Sequence, residues 1–129
     1  MNCGTLLLVD DDRHVRESMA TWLGEQGYDV ESADGRQQAV ERLKARDFDL
    51  VLCDIRLGDG DGFDVLKHCN EQHPDVTVIL ITGYGTVETG IEAIRAGAFD
   101  LLTKPLIDEE LKIAIERAVS QRSVMEENQ

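Results

Sequence analysis

The run Leu50-Val51-Leu52-Cys53, closed by Asp54, constrains the fold more than any other stretch of the chain. Asp47 and Asp49 precede it, and a polar, glycine-rich sequence follows. A short, unbroken apolar run between polar boundaries reads as a strand covered on both faces, the kind found in parallel sheets. Asp54 then stands where the strand emerges. A single aspartate at a strand end is weak evidence for chemistry, because Asp commonly caps turns. What the other strands end on is therefore decisive.

The chain has 129 residues, 42% of them apolar, which suits one folded domain with a substantial core. Against 13 Lys and Arg stand 26 Asp and Glu, a net charge of -13. Such a segment repels nucleic acid and anionic membrane, and it is compatible with divalent cations or basic partner surfaces. Cys3, Cys53 and Cys69 are odd in number and lack metal-ligand spacing, which points to a reducing, cytoplasmic setting. Met1 to Gly4 lead straight into an apolar run and three aspartates, unlike a signal peptide or anchor. The longest strongly apolar stretch, Val78 to Ile81 with Val76 beside it, is far too short to span a membrane, so a soluble protein is expected.

Two kinds of segment alternate along the chain. Leu6 to Val9 is apolar and is followed by Asp10-Asp11-Asp12. Val15, Met19, Trp22 and Leu23 then form one stripe of a helix from Arg13 to Gln26, with Asp12 as N-cap and Gly27 as stop. Trp22 is read as core. Tyr28 to Ala33 is a more polar strand, as an edge strand should be. Asp34 is expected to cap a helix from Gly35 to Arg46, with Gln37 three residues on and Ala39, Val40 and Leu43 facing inward.

After Asp54, Gly58 to Gly62 reads as a flexible turn, and a helix from Phe63 to Gln72 presents Phe63, Leu66 and Cys69 before Pro74. Val76 to Ile81 is a further buried strand stopping on Thr82. Val87, Ile91 and Ile94 mark the next helix, which closes at Gly97 and is weakened by Gly90. Phe99 to Thr103 is a fifth strand, ending on Lys104-Pro105. The last helix starts near Asp108 and buries Leu111, Ile115, Ala118 and Val119, leaving a polar tail from Ser120 to Gln129. Five alternations of strand and helix imply an α/β, doubly wound parallel sheet with helices on both faces.

In such a sheet, ligands bind at the carboxyl ends of the strands. Those ends carry Asp10 and Asp11, Asp54, Thr82 and Lys104, whereas the edge strand contributes nothing. Two carboxylates about 4 Å apart repel by roughly 4 kcal/mol at an effective dielectric near 20, so three sharing a pocket call for a cation. Magnesium, a hard ion that takes carboxylates together with phosphate oxygens, fits best. The site is then one prepared for a phosphoryl group: Asp54 as nucleophile forming an acyl phosphate, Lys104 and the metal neutralising charge, Thr82 donating a hydrogen bond.

The order and spacing of VDDD, DIRLGDGDGF, ITGYG and GAFDLLTKP resemble the receiver domain of bacterial two-component response regulators, from Thr5 to about Val119. The resemblance implies a five-stranded sheet of order 2-1-3-4-5, an order that belongs to the fold and that the residue pattern alone does not specify. It implies that Asp11 binds Mg2+ directly and Asp10 mostly through water, with the backbone carbonyl of Arg56 as a further ligand. It makes Asp54 the phosphoacceptor, Thr82 the switch hydroxyl and Lys104 the phosphate-pairing lysine, followed by a cis Lys104-Pro105 bond. A receiver is a switch rather than an enzyme, phosphorylated by a histidine kinase. The switching element expected here is the loop after Thr82 together with the helix from Val87 to Ala96.

The run ITGYGTVETGIEAIRAGAFDLLTKPL looks most like receivers of NtrC-like transcription activators, in which an AAA+ ATPase and a DNA-binding domain follow. Residues 1–119 would then be the receiver, and 120–129 the end of the last helix and the start of a linker to an absent effector. A free-standing regulator is the alternative. A homodimer through the last two helices and the fifth strand is implied by the family. Two positions depart from its pattern: Leu101 stands where many receivers carry a switch aromatic, and Gly58 where a proline is usual, which should loosen that loop. Arg56 and Tyr84 are expected to flank the water path to the acyl phosphate. A haloacid-dehalogenase-like phosphatase also uses an Asp nucleophile and magnesium, but Asp10-Asp11-Asp12-Arg13-His14 lacks the last member of its motif. Asp59 to Phe63 superficially suggests a calcium loop, which Phe63 and the missing downstream Glu reject. His14, His68 and His73 show no ligand spacing and are expected at the surface.

Overall fold

The computed structural model describes residues 4–127, with side chains through residue 121; Cys3 and the end of the tail lie outside the described residues. The elements in order are β1 (Thr5–Val9), α1 (Arg13–Glu25), β2 (Asp29–Ala33), α2 (Arg36–Ala45), β3 (Leu50–Asp54), β4 (Arg56–Leu57), β5 (Gly60–Asp61), α3 (Gly62–Gln72), β6 (Thr77–Thr82), α4 (Val87–Arg95), β7 (Asp100–Thr103) and α5 (Asp108–Glu127). Five strands form one parallel sheet in the order β2-β1-β3-β6-β7, while β4 and β5 pair separately as a small antiparallel hairpin. With the hairpin left out of the count, this is the order 2-1-3-4-5.

Why residues 6–9 of β1, 50–53 of β3 and 78–81 of β6 are all apolar follows from the period of two in a strand. Leu7, Val9, Val51, Cys53, Val78 and Leu80 enter a core beneath α2, α3 and Ala93 of α4. Their neighbours Leu6, Leu8, Leu50, Leu52, Ile79 and Ile81 enter a second core with Leu23, Leu111, Ala114, Ile115 and Ala118. Trp22 packs against that second core. Each fully buried aliphatic side chain contributes about 1.5–3 kcal/mol, so the three central strands anchor the sheet. Register does the rest. Val9 stands level with Cys53, so Asp10 and Asp54 reach the rim side by side, and Thr82 pairs with Thr103, which places Lys104 next to them.

Several boundaries have local causes visible in the sequence. The Asp12 carboxylate accepts from the amides of His14 and Val15 at 2.9 and 3.2 Å, capping α1. Gly27 and Gly97 follow α1 and α4 with φ of 100° and 101°, a conformation that side chains with a Cβ resist. α5 runs on through Ser120 to Glu127.

Three expectations are corrected. Asp34 does not cap α2: Gly35 is the N-cap and offers no side chain, the amides of Arg36 and Gln37 bond to Asp59 instead, and Gln38 rather than Gln37 reaches back to the Asp34 amide at 3.0 Å. The segment from Gly58 to Gly62 is no free turn. It carries β5, and Asp61 forms a reciprocal capping box with Asp64 at the start of α3. His68 and His73 are half-buried rather than superficial, with rings 5.2 Å apart and both Nε2 atoms buried without a hydrogen-bond partner. His14 is exposed. Among the described residues, no helix is long and apolar enough to cross a membrane.

Candidate functional site

Asp10, Asp54 and Thr82 are the buried polar or charged residues among those described, 2%, 6% and 6% exposed. Burying a carboxylate is costly unless something compensates it, so their meeting at one rim marks the site. Asp54 ends β3, Asp10 follows β1, and Thr82 ends β6. Carboxylate oxygens of Asp10, Asp11 and Asp54 lie within 4.8 Å of one another, with Asp11 exposed to solvent.

Lys104 supplies the facing cation. Its Nζ lies 2.6 Å from Asp54 Oδ2 and 3.7 Å from Asp10 Oδ2, and its backbone amide donates to the Thr82 carbonyl at 2.8 Å. The Lys104-Pro105 peptide is cis. Burial works against the Lys104 charge, but the hydrogen bond to Asp54 and the charges of Asp10 and Asp54 outweigh it and raise the pKa above that of an ordinary lysine. Asp10 moves the other way in charge preference. Burial raises its pKa, with the carboxylates of Asp54 and Asp11 adding to the effect against the Asp12 amide and Lys104. One ammonium thus pairs with two of three clustered carboxylates, and the donor set is all oxygen. That is the charge deficit and chemistry a hard divalent cation satisfies.

The remaining contacts orient the first ones. The Asp12 amide donates to Asp10 Oδ1 at 2.9 Å, and Arg16 Nη1 donates to the Asp10 carbonyl at 2.8 Å. The Arg56 amide donates to Asp54 Oδ1 at 3.1 Å. Thr82 Oγ1 accepts from the Tyr84 amide at 3.0 Å. Above the site, the Arg56 guanidinium lies over the Tyr84 ring, 4.5 Å from its centroid, joining the loops that follow β3 and β6. The residue pattern placed Asp10, Asp11, Asp54, Thr82 and Lys104 at strand ends on one rim, whereas the Arg56 carbonyl entered only through the family resemblance. The pattern did not disclose the half-buried Arg16, which a helical arginine gives no reason to single out, nor the reach of Asp59 to α2.

Residues 6–116 match the sequence model of the response regulator receiver domain. The chain belongs to this receiver family. It is 44% identical over 100 residues to the response regulator protein PilR of Pseudomonas aeruginosa, spanning 78% of this chain and 22% of PilR. It superposes on NtrX from Brucella abortus with a TM-score of 0.90 at 32% identity, covering 97% of this chain and 29% of that one. A beryllofluoride-activated NtrC4 receiver domain dimer matches with a TM-score of 0.86 at 33% identity over 92% of this chain and 98% of that chain. The receiver thus spans about a quarter of the longer relatives. Its sheet order is that of the receiver fold. Leu101 packs half-buried on the α2–α3 core and lines a groove with Val87, Ile91 and Ile94 of α4.

Proposed function

We propose that this receiver is a phosphorylation-activated switch whose acceptor is Asp54. The observation that carries the reading is the Asp54 carboxylate itself, buried, 2.6 Å from Lys104 and grouped with Asp10 and Asp11. An Asp54 oxygen attacks the phosphorus of a phosphohistidine on a histidine kinase; the new P–O bond forms as the P–N bond breaks, and the electron pair leaves with the imidazole. Asp10, Asp11, Asp54 and the Arg56 carbonyl would hold Mg2+, which supplies neutralisation of phosphoryl charge. Lys104, already drawn toward Asp54, pairs with a phosphoryl oxygen, and the Thr82 hydroxyl donates to another.

The new charge would bias the loop after Thr82 and α4 toward an active arrangement. The effector is read as an NtrC-like activator with AAA+ and DNA-binding domains, supported by the likeness to PilR and NtrX. Pairing of two receivers is supported by the dimeric NtrC4 receiver, and its placement on α4, β7 and α5 by exposed Ile91, Ile94 and Ile113.

The test is incubation with magnesium and acetyl phosphate followed by intact mass. The wild type is expected to gain one phosphoryl group and Asp54→Asn none. Stoichiometric labelling of Asp54→Asn at the wild-type rate would remove Asp54 as acceptor, and multiple turnover on a phosphate monoester would point to a phosphatase instead.

A further inference from the structure

Asp59 links the phosphoryl site to a helix that carries none of its side chains. α2 starts from Gly35, which cannot cap it. The amides of Arg36 and Gln37 donate instead to Asp59 Oδ1 at 2.7 Å and Oδ2 at 3.0 Å, from a position 23 residues along the chain from Arg36. The fit is close on both sides. A Cβ on Gly35 would stand 2.6 Å from Asp59 Oδ1, and one on Gly60 would stand 2.8 Å from Arg36 Cδ. The Gln37 and Arg36 amides hold the Asp59 carboxyl below the usual carboxylate range.

Asp59 sits at the tip of the β4–β5 hairpin, whose pairs are Arg56 with Asp61 and Leu57 with Gly60. A hairpin of two pairs, with Gly58 in its turn and Gly60 in its second strand, has little stiffness of its own. Its base is tied by the Gly62 amide on the Ile55 carbonyl at 2.8 Å and by the Arg56 amide on Asp54. Its tip is tied to α2 through Asp59. The anion at a helix N-terminus thus fixes the strand that carries Arg56.

We propose that Asp59 is a positioning residue for the phosphoryl site: by capping α2 from across the fold it holds the hairpin that presents Arg56 beside Asp54. The proposal rests on the reading of Asp54 as acceptor and of the Arg56 carbonyl as a metal ligand. Asp59 thereby restores to the loop the order that Gly58 takes from it.

The experiment compares wild type, Asp59→Ala and Gln38→Ala by calorimetric titration with Mg2+, by acetyl phosphate labelling, and by amide exchange without metal. Gln38→Ala removes the bond to the Asp34 amide at the start of α2 and leaves the hairpin untouched. Asp59→Ala is expected to raise the Mg2+ Kd about fivefold, a helix cap expressed as a ratio. Labelling at saturating Mg2+ should stay at the wild-type rate, and exchange at Arg36, Gln37 and residues 56–61 should accelerate. Asp59→Asn keeps one acceptor oxygen and should recover part of the affinity. An unchanged Kd in Asp59→Ala overturns the proposal, as does an equal loss in Gln38→Ala, which would make α2 stability the cause. Should Asp59→Ala fail to fold, Asp59→Asn carries the same comparison, and a wild-type Kd there overturns it. A wild type that binds no Mg2+ is a different result: it removes the reading of the site, and this proposal with it.

Discussion

Asp10 is ionised at a cost to the fold. Its raised pKa means that the folded state holds the proton more tightly than the unfolded chain, so stability falls as pH rises from the ordinary carboxylate range through the raised value. At neutral pH the Asp10 charge is therefore a net burden in the absence of metal. Asp10→Asn is expected to raise the stability of the receiver in EDTA, because it removes a buried charge that Asp54 and Asp11 also repel, while weakening the stabilisation that Mg2+ confers. Urea midpoints with and without Mg2+ measure both, and a lower midpoint for the variant in EDTA would contradict the electrostatic account. His68 has the opposite sign. Burial lowers its pKa, and the charges of His73 and Lys44 add to this against Glu71. The folded state thus disfavours the imidazolium, and stability contributed by neutral His68 is lost as pH falls below about 6.5 through the depressed value. The urea midpoint of wild type should decline over that window. His68→Gln should flatten the decline, and an identical slope would show that another group titrates.

At the scale of elements, α1 and β3 announce themselves because one apolar pattern and one cap suffice to define each. α2 was legible as a helix, but not its cap, because Asp59 is distant in sequence and only the folded hairpin brings it to Gly35. α4 is the element whose pattern misleads most. Val87, Ile91 and Ile94 recur at helical spacing, yet they are 79%, 47% and 56% exposed, and Ala93 is the buried residue of the helix. Periodicity identifies an apolar face without saying that the domain itself covers it. A helix that buries so little is readily displaced, and Gly83 and Gly90 meet nothing within 4 Å of an added Cβ. Gly85 is different, since a Cβ there would stand 2.5 Å from Thr103 Oγ1. On beryllofluoride binding, amide exchange from Gly83 to Ala96 should change in rate. Unchanged exchange there with changes elsewhere would place the switch in another element.

At the scale of the molecule, a net charge of -13 opposes association of two copies, so any dimer must bring enough apolar surface to overcome it. The face formed by α4, β7 and α5 exposes Ile91, Ile94 and Ile113. Sedimentation should show a monomer without activation and a dimer with Mg2+ and beryllofluoride, favoured by salt that screens the acidic charge. Ile91→Asp should abolish the dimer without reducing labelling of Asp54. A dimer that persists in this variant would move the interface to another face.

The sequence by itself determined the alternation of strands and helices, the strands with two covered faces, and the five strand-end residues, Asp54 among them, because local patterns of apolar residues and their polar stops encode these directly. Tertiary structure decided what depends on segments far apart in the chain. It set the 2.6 Å approach of Lys104 to Asp54, the burial that raises the pKa of Asp10, the docking of the hairpin through Asp59, and the outward turn of the α4 stripe. Each arises from a distance across the fold rather than from a spacing along it, and electrostatics and burial respond to the former.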